Sequence, residues 1–187
     1  MTASVVWSAP QVVNLLRFVQ PAAEDANVPC FLFTFHAYGT WLPDREEGFV
    51  LRHEGVLPPD AKLASDYRER MGQDVVFFDD AKQRALIDAA IESCEHQVCR
   101  LHYVATESTH VHVLVRWDHD RSWMTVRSGL KRSLTRALNA QFQKPTWLVK
   151  GASRRHVKDE EHFERLVHEY LPQHRGWKWS EERGLFR

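Results

Sequence analysis

"VCRLHYVATESTHVHVLVRW", residues 98 to 117, reads as two strands and the turn that joins them. Val98 to Thr106 and His110 to Trp117 are rich in β-branched and aromatic residues, and Glu107-Ser108-Thr109 is a polar break between them. Period two sorts the second strand: His110, His112, Leu114 and Arg116 face one way, and Val111, Val113, Val115 and Trp117 the other. The second set suits a covered core. The first sets two imidazoles side by side, close enough for both to bind one metal ion through their ring nitrogens. Two histidines hydrogen-bonded at a sheet edge would give the same pattern. The rigid β-branched flanks and the basic stretch that follows favour the metal.

Outward from this hairpin the chain supplies alternating elements. "CFLFTFHA" (30–37) places Phe31, Phe33 and Phe35 at every second position and suits a first strand. "DDAKQRALIDAAIESCEHQ" (79–97) is a helix that Asp79 or Asp80 can cap, with Ala85, Leu86, Ala89, Ala90 and Ser93 at helical spacing. A second helix runs from Ser122 to about Gln141, its apolar side given by Val126, Leu130, Leu134 and Leu138. "TWLVKGASRRHV" (146–157) is a strand pair or a strand and loop. "KDEEHFERLVHEYL" (158–171) is a third helix with acidic residues in its first turn. The order predicts an α+β domain, an antiparallel sheet covered by helices of the ferredoxin-like kind. Residues 1–28, with the linker "QPAAEDANVP", form an N-terminal extension to a domain over 29–187. Four of the eight glycines and three of the eight prolines fall between Ala37 and Asp79, which predicts a long irregular insertion after the first strand.

A chain of 187 residues that is 43% hydrophobic can build one core. No apolar run approaches the ~20 residues of a bilayer span, so no membrane association and a soluble, cytoplasmic protein are expected. Cys30, Cys94 and Cys99 lack CxxC spacing and read as reduced core thiols. The formal charge is zero, yet residues 1–120 carry 10 Lys and Arg against 18 Asp and Glu, and residues 121–187 carry 15 against 7. From Arg121 to Lys158 there are ten basic residues and no acidic one. Such a stretch is either a solvated helix face or a phosphate-binding surface. A metal ion beside such a surface points to phosphodiester chemistry.

Taken together, "HVHVLV" (110–115), the helix with "GLKRSLTRALN" (129–139), "TW" (146–147), "VKDEEHFERLVHEYL" (157–171) and "FTFHAYGTWLPD" (33–44) resemble the HUH single-tyrosine transposases, in particular the REP-associated tyrosine transposase branch. The resemblance spans about residues 30 to 176. It implies the HUH endonuclease form of the ferredoxin-like fold and a metal-dependent enzyme that nicks and joins single-stranded DNA next to hairpins during transposition and recombination. His110 and His112 would be metal ligands, Mg²⁺ or Mn²⁺ the metal, and Tyr170 the nucleophile that forms a 5′-phosphotyrosine intermediate. The family has a Gln or Asn four residues after its tyrosine; "YLPQHRG" (170–176) has His174 there, behind a Pro172 that disfavours helix, so the third ligand is His174 or Gln173. The family's Gln after "TW" is replaced by Leu148.

From helix pattern alone Tyr170 also reads as a core residue in line with Phe163 and Val167. Tyr38, Tyr67 and Tyr103 are weaker nucleophile candidates, Tyr103 lying beside Leu101 and Ala105. Lys131, Arg154 and Arg155 are the expected DNA contacts; Trp177 and Trp179 either stack on bases or pack on the sheet. The partner would be single-stranded DNA with a REP-like or element-end hairpin, bound by a monomer or a homodimer. Two other readings stay open: a domesticated protein that binds hairpins without cutting, and a small zinc hydrolase, the latter lacking HExxH or clustered carboxylates.

Overall fold

Phe31, Phe33 and Phe35 project from one face of the first strand and find their cover in two helices; this layer organises the rest. The computed structural model describes residues 28–46, 48–51, 55–143 and 146–187. Six strands form one antiparallel sheet: β1 (Cys30–His36), β4 (Arg100–Thr106), β5 (His110–Arg116), β6 (Ser153–His156), β7 (Lys178–Ser180) and β8 (Gly184–Phe186), in the order β6-β1-β5-β4-β7-β8. Its first four strands, with helices α2 (Asp80–Gln97) and α3 (Trp123–Gln141), make the expected α+β, ferredoxin-like unit. The extension read over 1–28 lies, apart from Val28, outside the described residues.

The helix-covered face is the aliphatic one. Val111, Val113, Val115 and Trp117 join the three phenylalanines, Leu86, Ile87 and Ala90 of α2, and Val126, Leu130, Leu134 and Leu138 of α3 in one buried cluster. The four α3 residues are completely buried, each worth about 1.5–3 kcal/mol by removal from water. Of the two candidates for the α2 cap it is Asp79 that accepts from the Lys82 N–H, at 3.0 Å, and Ser122, read as the start of the second helix, caps α3.

The opposite face is covered at its centre by the third helix. α4 (Glu160–Arg165) starts at Asp159, whose carboxylate accepts from the His162 N–H at 2.8 Å. Leu166 and Leu171 pack with Cys30, Leu32, Tyr103, Ala105 and Leu114, with Phe163 and Val167 at the margin. The expectation that Pro172 stops the helix at Leu171 is corrected. The backbone widens into a π-helical turn over Leu166–Tyr170, tightens to a 3-10 turn over Leu171–Gln173, and Leu171 keeps helical angles of φ −67 and ψ −35. Changing the winding takes the chain out of regular α geometry at the point where a proline ring would strike the carbonyl four residues back.

Other boundaries also move. Val98 is the left-handed cap of α2 (φ 57), so β4 begins at Arg100. A bulge between Leu101 and Tyr103 reverses the facing read for that strand: Leu101 joins the helix-covered core, whereas Tyr103 and Ala105 face α4. Between 37 and 79 the chain is less irregular than expected, with strands β2 (Phe49–Leu51) and β3 (Gly55–Leu57) paired and α1 (Ala61–Glu69) capped by Asp60. Three-residue strands are too short to show alternation, and only Ala64 of α1 is buried. Residues 146–157 supply a bridge from Leu148 to Ala37 and the edge strand β6. Among the described residues no helix is long and apolar enough to cross a membrane.

Candidate metal and phosphoryl-transfer site

β5 delivers His110 and His112 to the face opposite the aliphatic core, and the register of the sheet supplies their neighbours. Thr34 pairs with His112 and His36 with His110 across β1; Ala105 pairs with His112 across β4. His112 is buried and His110 half-buried. The 3-10 turn brings in a third ring. The ligand atoms of His110, His112 and His174 all lie within 4.8 Å of one another, so these three can hold a metal ion. Of the two residues read as third-ligand candidates, His174 lies with the pair, and Gln173 is exposed.

Each imidazole has one nitrogen already engaged. His112 Nδ1 is 2.8 Å from Thr34 Oγ1, His110 Nδ1 is 2.9 Å from Thr109 Oγ1, and His174 Nδ1 donates to the Leu171 carbonyl at 3.1 Å. A carbonyl can only accept, so Nδ1 of His174 carries a proton and Nε2 is the nitrogen left to face a metal. Outer hydrogen bonds of this kind orient imidazole ligands toward a metal. Burial, followed by His110 and His174 close by, pushes His112 down to about 2, and burial with His174 pushes His110 down to about 4. Both rings are therefore neutral at pH 7, the form that binds a metal. The donor set and its electrostatics fit a divalent transition ion.

His174 owes its place to the chain that follows it. Gly176 crosses the end of β4 so closely that a Cβ there would lie 2.2 Å from the Thr106 carbonyl oxygen and 2.5 Å from Gln83 Oε1. Buried Gln83 accepts from the Trp177 N–H and from the Thr106 hydroxyl, each at 3.0 Å, and Lys178 Nζ donates to the His174 carbonyl at 2.7 Å. Nothing in the sequence had marked Gln83 or Gly176, and Lys178 read only as a basic residue beside the tryptophans of the tail. The contact between Gln83 and Trp177 spans 94 positions, beyond any local pattern.

Tyr170 stands at the rim of the triad. Its hydroxyl is 3.4 Å from His112 Nε2, its ring is edge-on to those of His112 and His174, and it is 39% exposed. The core reading of Tyr170 thus gives way, while Phe163, Leu166, Val167 and Leu171 do the packing. Tyr103 is buried with its hydroxyl unpartnered, Tyr38 accepts from the Gly72 N–H, and Tyr67 sits on α1.

The three basic residues separate. Arg155 pairs with Leu32 and so shares the histidine face; Arg154 pairs with Phe33 and lies 3.7 Å over the Trp123 ring on the helix face. Lys131 also belongs to the helix side, where its ammonium donates to the Val149 and Lys150 carbonyls at 2.5 and 2.9 Å. Trp177 and Trp179 pack against the helix-side core, and their segment forms the β7–β8 hairpin that the tail did not suggest. Two residues of the site escaped notice: His36, centred 5.6 Å from His110, and Thr34. Both were legible in principle, because Thr34 and His36 share the face of β1 that the phenylalanines leave.

An α+β ferredoxin-like sheet carrying a tri-histidine cluster with a tyrosine at its rim is the class that fold and site define. No family model and no curated protein matches the sequence. Among solved structures the chain is similar to a REP-associated tyrosine transposase bound to a REP hairpin, at 9% identity and a TM-score of 0.41, over 78% of this chain and 71% of that one. A likeness this distant transfers no residue roles.

Proposed function

We propose that this protein is a metal-dependent single-stranded DNA endonuclease and strand transferase acting beside DNA hairpins, with Tyr170 as nucleophile. The observation that carries the reading is the hydroxyl of Tyr170, a residue 39% exposed, 3.4 Å from a histidine of the triad. A phenol with an ordinary pKa of about 10 is a poor nucleophile at neutral pH and needs help from its surroundings. His110, His112 and His174 would hold the ion, which when bound supplies Lewis acidity to the non-bridging oxygens of a phosphodiester. Three imidazoles suit Mn²⁺ better than Mg²⁺, which prefers oxygen ligands.

In this scheme the Tyr170 oxygen attacks phosphorus, the bond from phosphorus to the 3′ oxygen breaks, and a 5′-phosphotyrosine and a free 3′-OH result. The phenol gives up one proton as the leaving oxygen takes one, so the step is proton-neutral overall. The phosphoester is retained for joining. Arg155 on the same face would meet the phosphates of the strand. A complete triad, in which Pro172 does not displace His174, argues against a protein that binds hairpins without cutting.

The test is incubation of the protein with Mn²⁺ and a pool of labelled hairpin oligonucleotides carrying single-stranded flanks. A covalent protein–DNA band on a denaturing gel is expected. Cleavage without that band would make water the nucleophile and the protein a hydrolase; binding without cleavage would make it a hairpin-binding module.

A further inference from the structure

The side of α3 that points away from the sheet carries no acidic residue and no aromatic ring. Ser128, Lys131, Arg132, Thr135, Arg136 and Asn139 line one open groove along it. Arg132 and Arg136 are exposed, whereas Val126, Leu130, Leu134 and Leu138 of the same helix are completely buried, so the core takes only the other side. The groove residues recur at intervals of three and four, which sets them in one stripe about 16 Å long, or about five base-pair steps of a duplex.

The cations of this stripe are not neutralised. From Arg121 to Lys158 there is no Asp or Glu. Neither Arg132 nor Arg136 has a hydrogen bond or ion pair among the described residues. Lys131 differs: its ammonium is engaged with the Val149 and Lys150 carbonyls, and burial, with Arg127 nearby, lowers its pKa while no carboxylate acts to raise it. Like charges four residues apart destabilise a helix, so a polyanion along the stripe relieves a repulsion that the fold leaves standing.

What the groove lacks decides the kind of polyanion. Proteins that hold single strands interleave aromatic rings with their cations, so that bases can stack. Here the nearest rings are occupied: Trp147 is buried and donates from Nε1 to the Asn139 carbonyl oxygen at 2.7 Å, and Trp123 lies under Arg127 and Arg154. The groove offers two guanidiniums, two hydroxyls and the NH2 of Asn139, donors of the kind that meet phosphate oxygens. A duplex, with its bases stacked inside and its phosphates outside, fits such a surface. Because α3 covers the face of the sheet opposite the histidines, the groove is separate from the triad.

We infer that the outward groove of α3 binds the sugar-phosphate backbone of a double-stranded DNA stem, with Arg132 and Arg136 as the phosphate contacts. The choice of DNA rests on the reading of the triad as a DNA-processing site; the choice of a duplex rests on the groove.

The experiment is equilibrium binding, without added metal, of two labelled oligonucleotides over a series of salt concentrations: a hairpin with a stem and no flank, and an unpaired strand of equal length. Replacing both Arg132 and Arg136 by alanine keeps the helix, since alanine is its best former and neither side chain is buried. Affinity for the stem should fall about tenfold at low salt, and the slope of log affinity against log salt should flatten by about 1.8, two phosphates at about 0.9 each. Affinity for the unpaired strand should not change. Arg132→Lys with Arg136→Lys keeps both charges and should keep the slope. Alanine at Lys62 and Arg70, two exposed cations of the 60–70 segment, removes the same charge elsewhere and should leave stem binding unaltered. An unchanged slope in the double-alanine variant, an equal loss for the unpaired strand, an equal loss from the Lys62 and Arg70 change, or no binding of the stem by the natural protein would each overturn the inference. The covalent-adduct assay is scored separately: stem binding that depends on Arg132 and Arg136 with no adduct sinks the nicking reading alone, and an adduct with stem binding indifferent to both arginines sinks this inference alone.

Discussion

Tyr170→Phe removes one oxygen and keeps the ring. Tyr170 is 39% exposed and among the described residues its hydroxyl has one hydrogen-bond contact, 3.4 Å from His112, so stability should change by no more than about 1.5 kcal/mol. Hairpin binding and metal affinity should persist while the covalent adduct disappears, which a denaturing gel beside a binding titration reads directly; an adduct from the variant would assign the attack to another tyrosine. Thr34 makes a second test at this scale. Its hydroxyl is 2.8 Å from His112 Nδ1 and is itself buried. Thr34→Val keeps the shape and removes the partner, and the affinity for Mn²⁺ by calorimetry should fall about 10- to 100-fold, the range for lost outer-shell partners. Unchanged affinity would mean that sheet packing alone holds the ring.

At the scale of elements, the edge strand β6 separates two arginines that lie side by side in sequence. Arg155 pairs with Leu32 and faces the triad, whereas Arg154 pairs with Phe33 and stacks on Trp123 of α3. DNA drawn to the triad should feel only the first. Arg155→Ala should flatten the salt dependence of single-strand binding by about 0.7 in log–log slope, and Arg154→Ala should leave it unaltered. Equal effects from the two would place the strand around the edge of the sheet. The winding change after α4 belongs here too: it lets a proline sit between Tyr170 and His174 and still sets both against His112.

For the molecule as a whole, the four most strongly lowered of the described histidines bear on stability in acid, His162 being lowered as well. Burial is the first cause of lowering in each, leaving His36, His102 and His110 at about 4 and His112 at about 2. In the unfolded chain they titrate near the ordinary value of about 6.5. Between these values the unfolded chain binds protons that the folded one refuses, so the stability they contribute is complete above pH 6.5 and is lost as pH falls toward 4, with His112 continuing lower. The Tm of the metal-free protein should therefore drop steadily from pH 7 to pH 4.5. A flat or rising Tm across that window would show that these rings take up protons without loss of the fold.

The sequence by itself determined the layers of this protein, because periodicity is a local property that burial enforces on each element separately. Phe31, Phe33 and Phe35, the valines of 111–115 and the line Val126, Leu130, Leu134 and Leu138 face the core they were read to face. The HxH pair was visible for the same reason. Tertiary structure alone decided the rest of the site. The third candidate ligand depended on how a helix with Pro172 would wind, and His36 and Thr34 joined through strand pairing across more than 70 positions. The division of Arg154 from Arg155 depended on which residue of β1 each would meet, and the bulge that turned Tyr103 away from Leu101 depended on pairing with β5. Pattern reports which way a side chain leaves its own element. What it meets there is set by the register of strands that are distant in the chain, and only folding fixes that register.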